Sequence, residues 1–180
     1  MNLKDMTDEQ YGLLFAVRRS IRYHDRRAAF FERLHQITGG LTVLLAGSVL
    51  FDLARPGNTP AWLTALALTA ALLAVWDIVV GYAGRAGLHR DLKNRFVALE
   101  IAVVEGDATA ENWTRHQIKR LTIERDEPPV YRALDTLCHN EMLIAEGYDR
   151  NGAGKVHFAP VTAWQRATRH FLHWGDIAAG

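Results

Sequence analysis

The sequence predicts an all-α membrane protein, with a two-transmembrane helical hairpin continuous with a cytoplasmic helical bundle. Three observations carry this expectation. Two apolar stretches, Ile37–Leu53 and Ala61–Ala83, are joined by the short link Ala54–Pro60. Arginine-dense segments flank the pair, whereas the link holds only Arg55. Outside the pair, apolar residues recur at helical spacing. The alternative is a pair of buried helices in a soluble bundle, and two adjacent stretches with so few charges disfavour it. The mean hydropathy of −0.08 decides neither way.

The first element, residues 7–36, reads as a cytoplasmic helix. Thr7 or Asp8 can cap it, with acidic residues in its first turn. Leu14, Val17, Ile21, His24, Ala28, Phe31 and His35 then follow a 3-4-3-4 spacing, a heptad seam. No Pro or Gly follows Gly12 until Gly39, so one long rod is expected to enter the first span.

The hairpin, residues 37–83, comes next (37–53 and 61–83). A bilayer core needs roughly 20 helical residues. The second stretch meets that with a single charge, Asp77; the first is short and has Asp52 near its exit. About thirty polar-rich residues precede it, unlike the short basic start of a signal sequence, so the hairpin reads as internal and permanent. Arg18, Arg19, Arg22, Arg26, Arg27 and Arg33 precede the first span, and Arg85, Arg90, Lys93 and Arg95 follow the second. Basic residues stay on the cytoplasmic side. Both termini are therefore expected in the cytoplasm of a bacterial inner membrane, with Trp62 and Tyr82 as interfacial anchors.

Residues 84–148 read as a cytoplasmic helical bundle. Leu92, Phe96, Leu99 and Val103 continue the second span as a helix ending at Glu105–Asp107. Asp107 or Thr109 starts a helix carrying Trp113, Ile118 and Leu121. Asp126 is the expected cap of the next, with Pro128 and Pro129 at its opening positions. Residues 149–180 then hold a flexible turn, Asp149–Gly154, and an amphipathic helix, Val161–Trp174. Net charge is +1, so no global field favours nucleic acid, and direct nucleic-acid binding is not expected. The single cysteine, Cys138, excludes an intramolecular disulfide and suits a reducing cytoplasm.

Three segments are distinctive: RRSIRYHDRRAAFFERLHQITGG, HRDLKNRFVALEIAV and ERDEPPVYRALDTLCHNEMLIAEGY. With the hairpin, they resemble the SLATT family, two-transmembrane effectors associated with SMODS nucleotidyltransferases and SLOG domains. The resemblance covers Tyr11 to Tyr148. It implies a membrane-disrupting effector of bacterial antiphage defence or prophage conflict, a possible cytoplasmic defence partner or nucleotide-signalling system, and no catalytic residues.

Pore formation requires an oligomer, because two helices cannot enclose a channel. Small residues allow close helix approach: Ala67, Ala74 and Gly81 recur every seven on the second span, and Gly40 and Gly47 on the first. These faces serve either copy-to-copy contact or packing within one hairpin. Asp77 is the sharpest residue, since an ionisable group at membrane depth is costly. It reads either as a pore mouth or gate, or as a salt-bridge partner of Arg85 or Arg33. Asp52 and Arg55 read as an interfacial charge pair. His24, Phe31 and His35 form a cytoplasmic seam, where polar residues set register; no metal site or cofactor is expected. Arg19–His24 spells R-x4-H, a pattern of HEPN ribonucleases, but that reading needs a soluble four-helix arrangement with two such motifs meeting at a dimer interface. The expected function is an oligomeric inner-membrane effector that permeabilises or depolarises the membrane. The alternative is a membrane-anchored scaffold recruiting a cytoplasmic partner. An enzyme is not expected.

Overall fold

A computed structural model describes residues 7–53, 60–106 and 109–175. Among them the regular structure is entirely helical. In order come α1 (Asp8–Leu53), α2 (Ala61–Val80), α3 (Tyr82–Glu105), α4 (Ala110–Glu124), α5 (Arg132–Ala145), a 3-10 turn (Ala153–His157) and α6 (Ala163–Thr168). The expected Asp52–Arg55 pair, the link at 54–59 and the candidate cap Asp107 lie outside the described residues or side chains.

The chain divides into two compact units. One joins Met1–Arg27 to His89–Gly180, and the other is Ala28–Leu88. Ala28, Phe31 and their neighbours group with the apolar helices.

In the first unit, α1 opens with a reciprocal cap. The Thr7 hydroxyl accepts from the Gln10 amide, and the Gln10 side chain accepts from the Thr7 amide. Leu13, Leu14 and Val17 of α1 pack with Leu92, Phe96, Leu99 and Val103 of α3 and Ile123 of α4. The seam positions Leu14 and Val17 are therefore buried inside one chain. Of the two candidate caps of α4, Thr109 does the work, accepting from the Asn112 amide. Of α4's apolar residues, Trp113 packs against the core, while Ile118 and Leu121 stay exposed.

Two helix starts differ from the sequence expectation. The helix expected from Asp126 begins at Arg132, after an extended segment containing Pro128 and Pro129. A residue before proline is pushed out of the α region, and here two successive prolines hold the chain extended. Asp126 instead receives Arg95 at 2.8 Å. Its carboxyl is held below the usual range by hydrogen bonds from Arg95 and Arg125. Likewise, the expected helix Val161–Trp174 contracts to the six residues of α6, closed by a Thr162–Gln165 capping box. The end of this segment docks through polar contacts in place of a helical face. Arg27 donates to the His170 carbonyl, Arg132 donates to the Gly175 carbonyl, and the His173 ring stacks on Tyr131 at 3.9 Å. The side-chain amide of Asn140 both donates to and accepts from the backbone of Ala159.

The second unit is an antiparallel helical hairpin. Phe31 stacks on Tyr82 and His35 bonds Asp77, so partners retreat along the chain as α1 advances. Its aliphatic side chains point outward: Val43 and Leu44 of α1 are 71% exposed, and Ile78 and Val79 of α2 are 79% and 75% exposed. One stretch among the described residues is long and apolar enough to cross a membrane. It is Ala61–Glu105, counted through the break at Gly81, and 11% of its most apolar window is buried. Among the described residues, α1 holds no stretch that meets that measure.

The expected unbroken passage from the second span into the following helix is also corrected. Gly81 adopts φ +65°, ψ +48°, closing α2 with its amide on the Asp77 carbonyl, and α3 starts at the next residue. This left-handed conformation costs an L side chain roughly 1–2 kcal/mol, which is why glycine suits the break.

Candidate functional site

The candidate site lies at the end of α2 beside the Gly81 break. Asp77 is the only charged residue in α2. Its Oδ2 lies 2.8 Å from Nδ1 of His35. This corrects the expectation that Arg85 or Arg33 would be its salt-bridge partner. Arg85 instead lies over the Phe31 ring, with the guanidinium carbon 5.8 Å from the centroid. The reason is register. In the antiparallel pairing that sets Phe31 on Tyr82, the next helical turn of α1 presents His35 to Asp77.

The pair is asymmetric. The His35 side chain is 49% exposed, and that of Asp77 is 18% exposed. Asp77 Oδ1 is shielded from solvent and has no hydrogen-bond partner; one turn past Thr38, the hydroxyl of Thr42 is in the same condition. A buried acceptor without a partner costs about 1–3 kcal/mol, more when charged. Around the pair, Phe30, Phe31, Leu34, Val80, Tyr82 and Ala86 form an apolar cluster, and Trp76 Nε1 donates to the Tyr82 hydroxyl at 2.8 Å. Chemically, the arrangement holds one carboxylate in an apolar setting, ties one of its oxygens to a histidine, and leaves the other without a hydrogen-bond partner.

The small residues separate into two faces. Leu63 and Ala70 are buried, and Ala67, Ala74 and Gly81 are half-buried beside them, so this face belongs to the inside of the hairpin unit. Gly40 and Gly47 are exposed, and a Cβ added at either meets nothing within 4 Å.

The seam residues end in separate places. His35 is in the Asp77 pair and Phe31 in the apolar cluster. His24 is 1% exposed and belongs to a second, buried polar group in the other unit. Its Nδ1 lies 2.9 Å from Nδ1 of His89, and its Nε2 lies 3.1 Å from Glu127 Oε1. The rings of Phe96 and His24 are stacked, and Tyr23 meets His24 edge-on. Burial, then the charges of His24 and Arg27, push the His89 imidazole down to about 3, so it is neutral at physiological pH. Sequence reasoning missed this group: His89 and Glu127 come from distant segments, and only the leucine and phenylalanine spacing of α3 hinted at a buried face there. The R-x4-H pair does not assemble, since Arg19 faces Asp135 at 3.2 Å while His24 is enclosed. Cys138 is fully buried, and desolvation pushes its thiol up to about 12. No group of three or more metal-ligating side chains occurs among the described residues.

No family model, curated protein or solved structure matches this chain.

Proposed function

We propose that the protein is an oligomeric inner-membrane effector that permeabilises or depolarises the membrane, in antiphage defence or prophage conflict, with no enzymatic activity. The observation that carries this reading is the second unit: a hairpin whose aliphatic side chains face outward and whose one α2 charge, Asp77, turns inward onto His35. In water such a surface is unfavourable at about 25 cal/mol per Å², whereas in lipid it is at home. Intramembrane carboxylates that face protein mark ion or proton paths. The proposed topology has both α1 and α2 spanning, both termini in the cytoplasm, and Asp77 at the inner mouth. The SLATT-like segments support the same reading. The small exposed face at Gly40 and Gly47 supplies a surface where copies can approach closely.

The test is to induce the protein with its native neighbours, apply phage, and follow membrane potential and dye entry. Loss of potential with dye entry is expected, and Asp77→Leu is expected to change conductance while the oligomer survives. Protection with potential and permeability intact would favour the scaffold reading. One observation favours that second reading: Ile101 of α3 and Ile118 and Leu121 of α4 are exposed apolar residues outside the hairpin.

A further inference from the structure

Residues 150–175 carry Arg150, Lys155, Arg166 and Arg169 and not one Asp or Glu. Among the described residues, none of these four cations has a carboxylate partner. Arg150 lies over the Phe158 ring, and Arg169 donates to the Arg166 carbonyl. The same segment exposes large apolar side chains: Val156 at 77%, Trp164 at 64%, Phe171 at 62%, and Leu172. Elsewhere in this unit several arginines are matched to acids, as Arg18 to Glu100, Arg26 to Glu141 and Arg95 to Asp126. In residues 150–175, by contrast, four cations stand with no acid among them.

Its geometry gives the two residue types different faces. The amides of Phe171 and Leu172 both bond the Thr168 carbonyl, so the chain keeps turning after α6. At that spacing Trp164, Thr168 and Phe171 fall on one side, with Arg166 and Arg169 on the other. The contacts of His170, His173 and Gly175 hold the end of the segment on α1 and at the start of α5, while Trp164 and Phe171 remain mostly exposed.

We propose that residues 150–175 form an interfacial arm that docks on an anionic lipid surface. A short amphipathic segment with Trp and Phe on one face and cations on the other is suited to the headgroup boundary. Cations near an anionic leaflet are drawn to it, and the cytoplasmic leaflet is the anionic one. Nucleic acid fits less well, because aliphatic Val156 and Leu172 offer bases no stacking plane. The arm rests on the membrane reading only for its proximity to lipid.

The experiment uses the full chain in nanodiscs of neutral lipid or with about 30% phosphatidylserine. An environment-sensitive fluorophore is attached through V156C, with K119C on exposed α4 as the control position; the buried native Cys138 stays unlabelled. Quenching by spin-labelled lipid is expected to be severalfold stronger at position 156 in anionic discs. It should fall toward the neutral value in about 0.5 M salt and in the double variant K155E/R166E, while position 119 stays unquenched. Equal quenching in both lipids overturns the proposal. So does a spectral response to a single-stranded oligonucleotide but not to anionic lipid. Co-elution with the discs reports insertion separately. Should the chain fail to insert, anionic vesicles added to the free protein test the arm alone, so its failure and that of the spanning hairpin stay distinct.

Discussion

His24 and His35 stand eleven residues apart on one helix and meet opposite surroundings. His24 is enclosed by Phe96, Tyr23, His89 and Glu127, in a unit where Leu92, Phe96 and Leu99 are fully buried. His35 is half exposed beside Asp77, in a unit where Val43, Leu44, Ile78 and Val79 face outward. The first unit encloses a core of apolar side chains, as burial away from water favours, although Ile118, Leu121 and Trp164 stay exposed on it. The second displays its aliphatic side chains and turns its carboxylate inward, the inverse pattern and the one that lipid rewards. The same seam spacing serves both, so periodicity alone marks a packed face without naming the solvent on the other side.

The largest expected effect breaks the enclosed side of this comparison. Replacing His24 with Ala removes the stacking on Phe96 and leaves His89 and Glu127 without their shared partner, and should cost about 3 kcal/mol of stability. Urea denaturation of the first unit's signal, followed by Trp113 fluorescence, measures it. The pH dependence follows from His89 and from His170, which burial pushes down to about 4. An unfolded histidine titrates near 6.5, so between that value and the folded ones the unfolded chain binds more protons. Stability is then fully present above about pH 6.5 and declines toward pH 3–4. His89→Gln should flatten that slope; an unchanged slope would show that His89 is not the group responsible.

Much of this was legible in the sequence, and the misses share a cause. The helical content, the apolar pair and the core positions Leu14, Val17, Leu92, Phe96 and Leu99 follow from spacing, because local periodicity decides which residues a helix can bury. The partner of Asp77 was not legible. Arg85 is near it in sequence and Arg33 stands two residues from His35, both opposite in charge, yet register between two helices selects His35. Nor was the His24–His89–Glu127 group, whose members come from α1, α3 and the segment before α5. Proline chemistry was read one step short: Pro128 and Pro129 suit a first helical turn, but in succession they keep the chain extended until Tyr131. Its amide is held by the Tyr23 hydroxyl at 3.0 Å.

A middle-sized effect sharpens the outward-facing side. Ala74 is half-buried on the inner face of α2, whereas Gly47 is exposed on α1. Ala74→Leu overpacks the hairpin and should cost about 2 kcal/mol, read as a lower midpoint in detergent unfolding. Gly47→Leu should leave that midpoint nearly unchanged and instead shift the mass distribution in nanodiscs toward single chains, if this face meets a second copy. A Gly47 variant with wild-type mass and activity would place that face against lipid. The two substitutions add similar bulk, so their contrast separates packing within a chain from contact between chains.

The smallest effect concerns the His35–Asp77 pair itself. Half of the pair is exposed, and solvent screens such contacts strongly, so its coupling should be only about 1 kcal/mol. A double-mutant cycle with His35→Ala, Asp77→Asn and both together isolates that coupling from the rest of each side chain. Asp77→Asn is the informative arm, because it keeps the size and one acceptor while removing the charge. If the pair only fixes helix register, the two single variants should lose similar stability and leave ion flux through reconstituted protein unaltered. If Asp77 lines an ion path, Asp77→Asn should lower cation preference while His35→Ala preserves it, since the carboxylate, not its partner, would attract the ion. A cycle with no coupling and no change in selectivity in either variant would remove Asp77 from the mechanism and leave the outward-facing aliphatics as the sole functional feature of the hairpin.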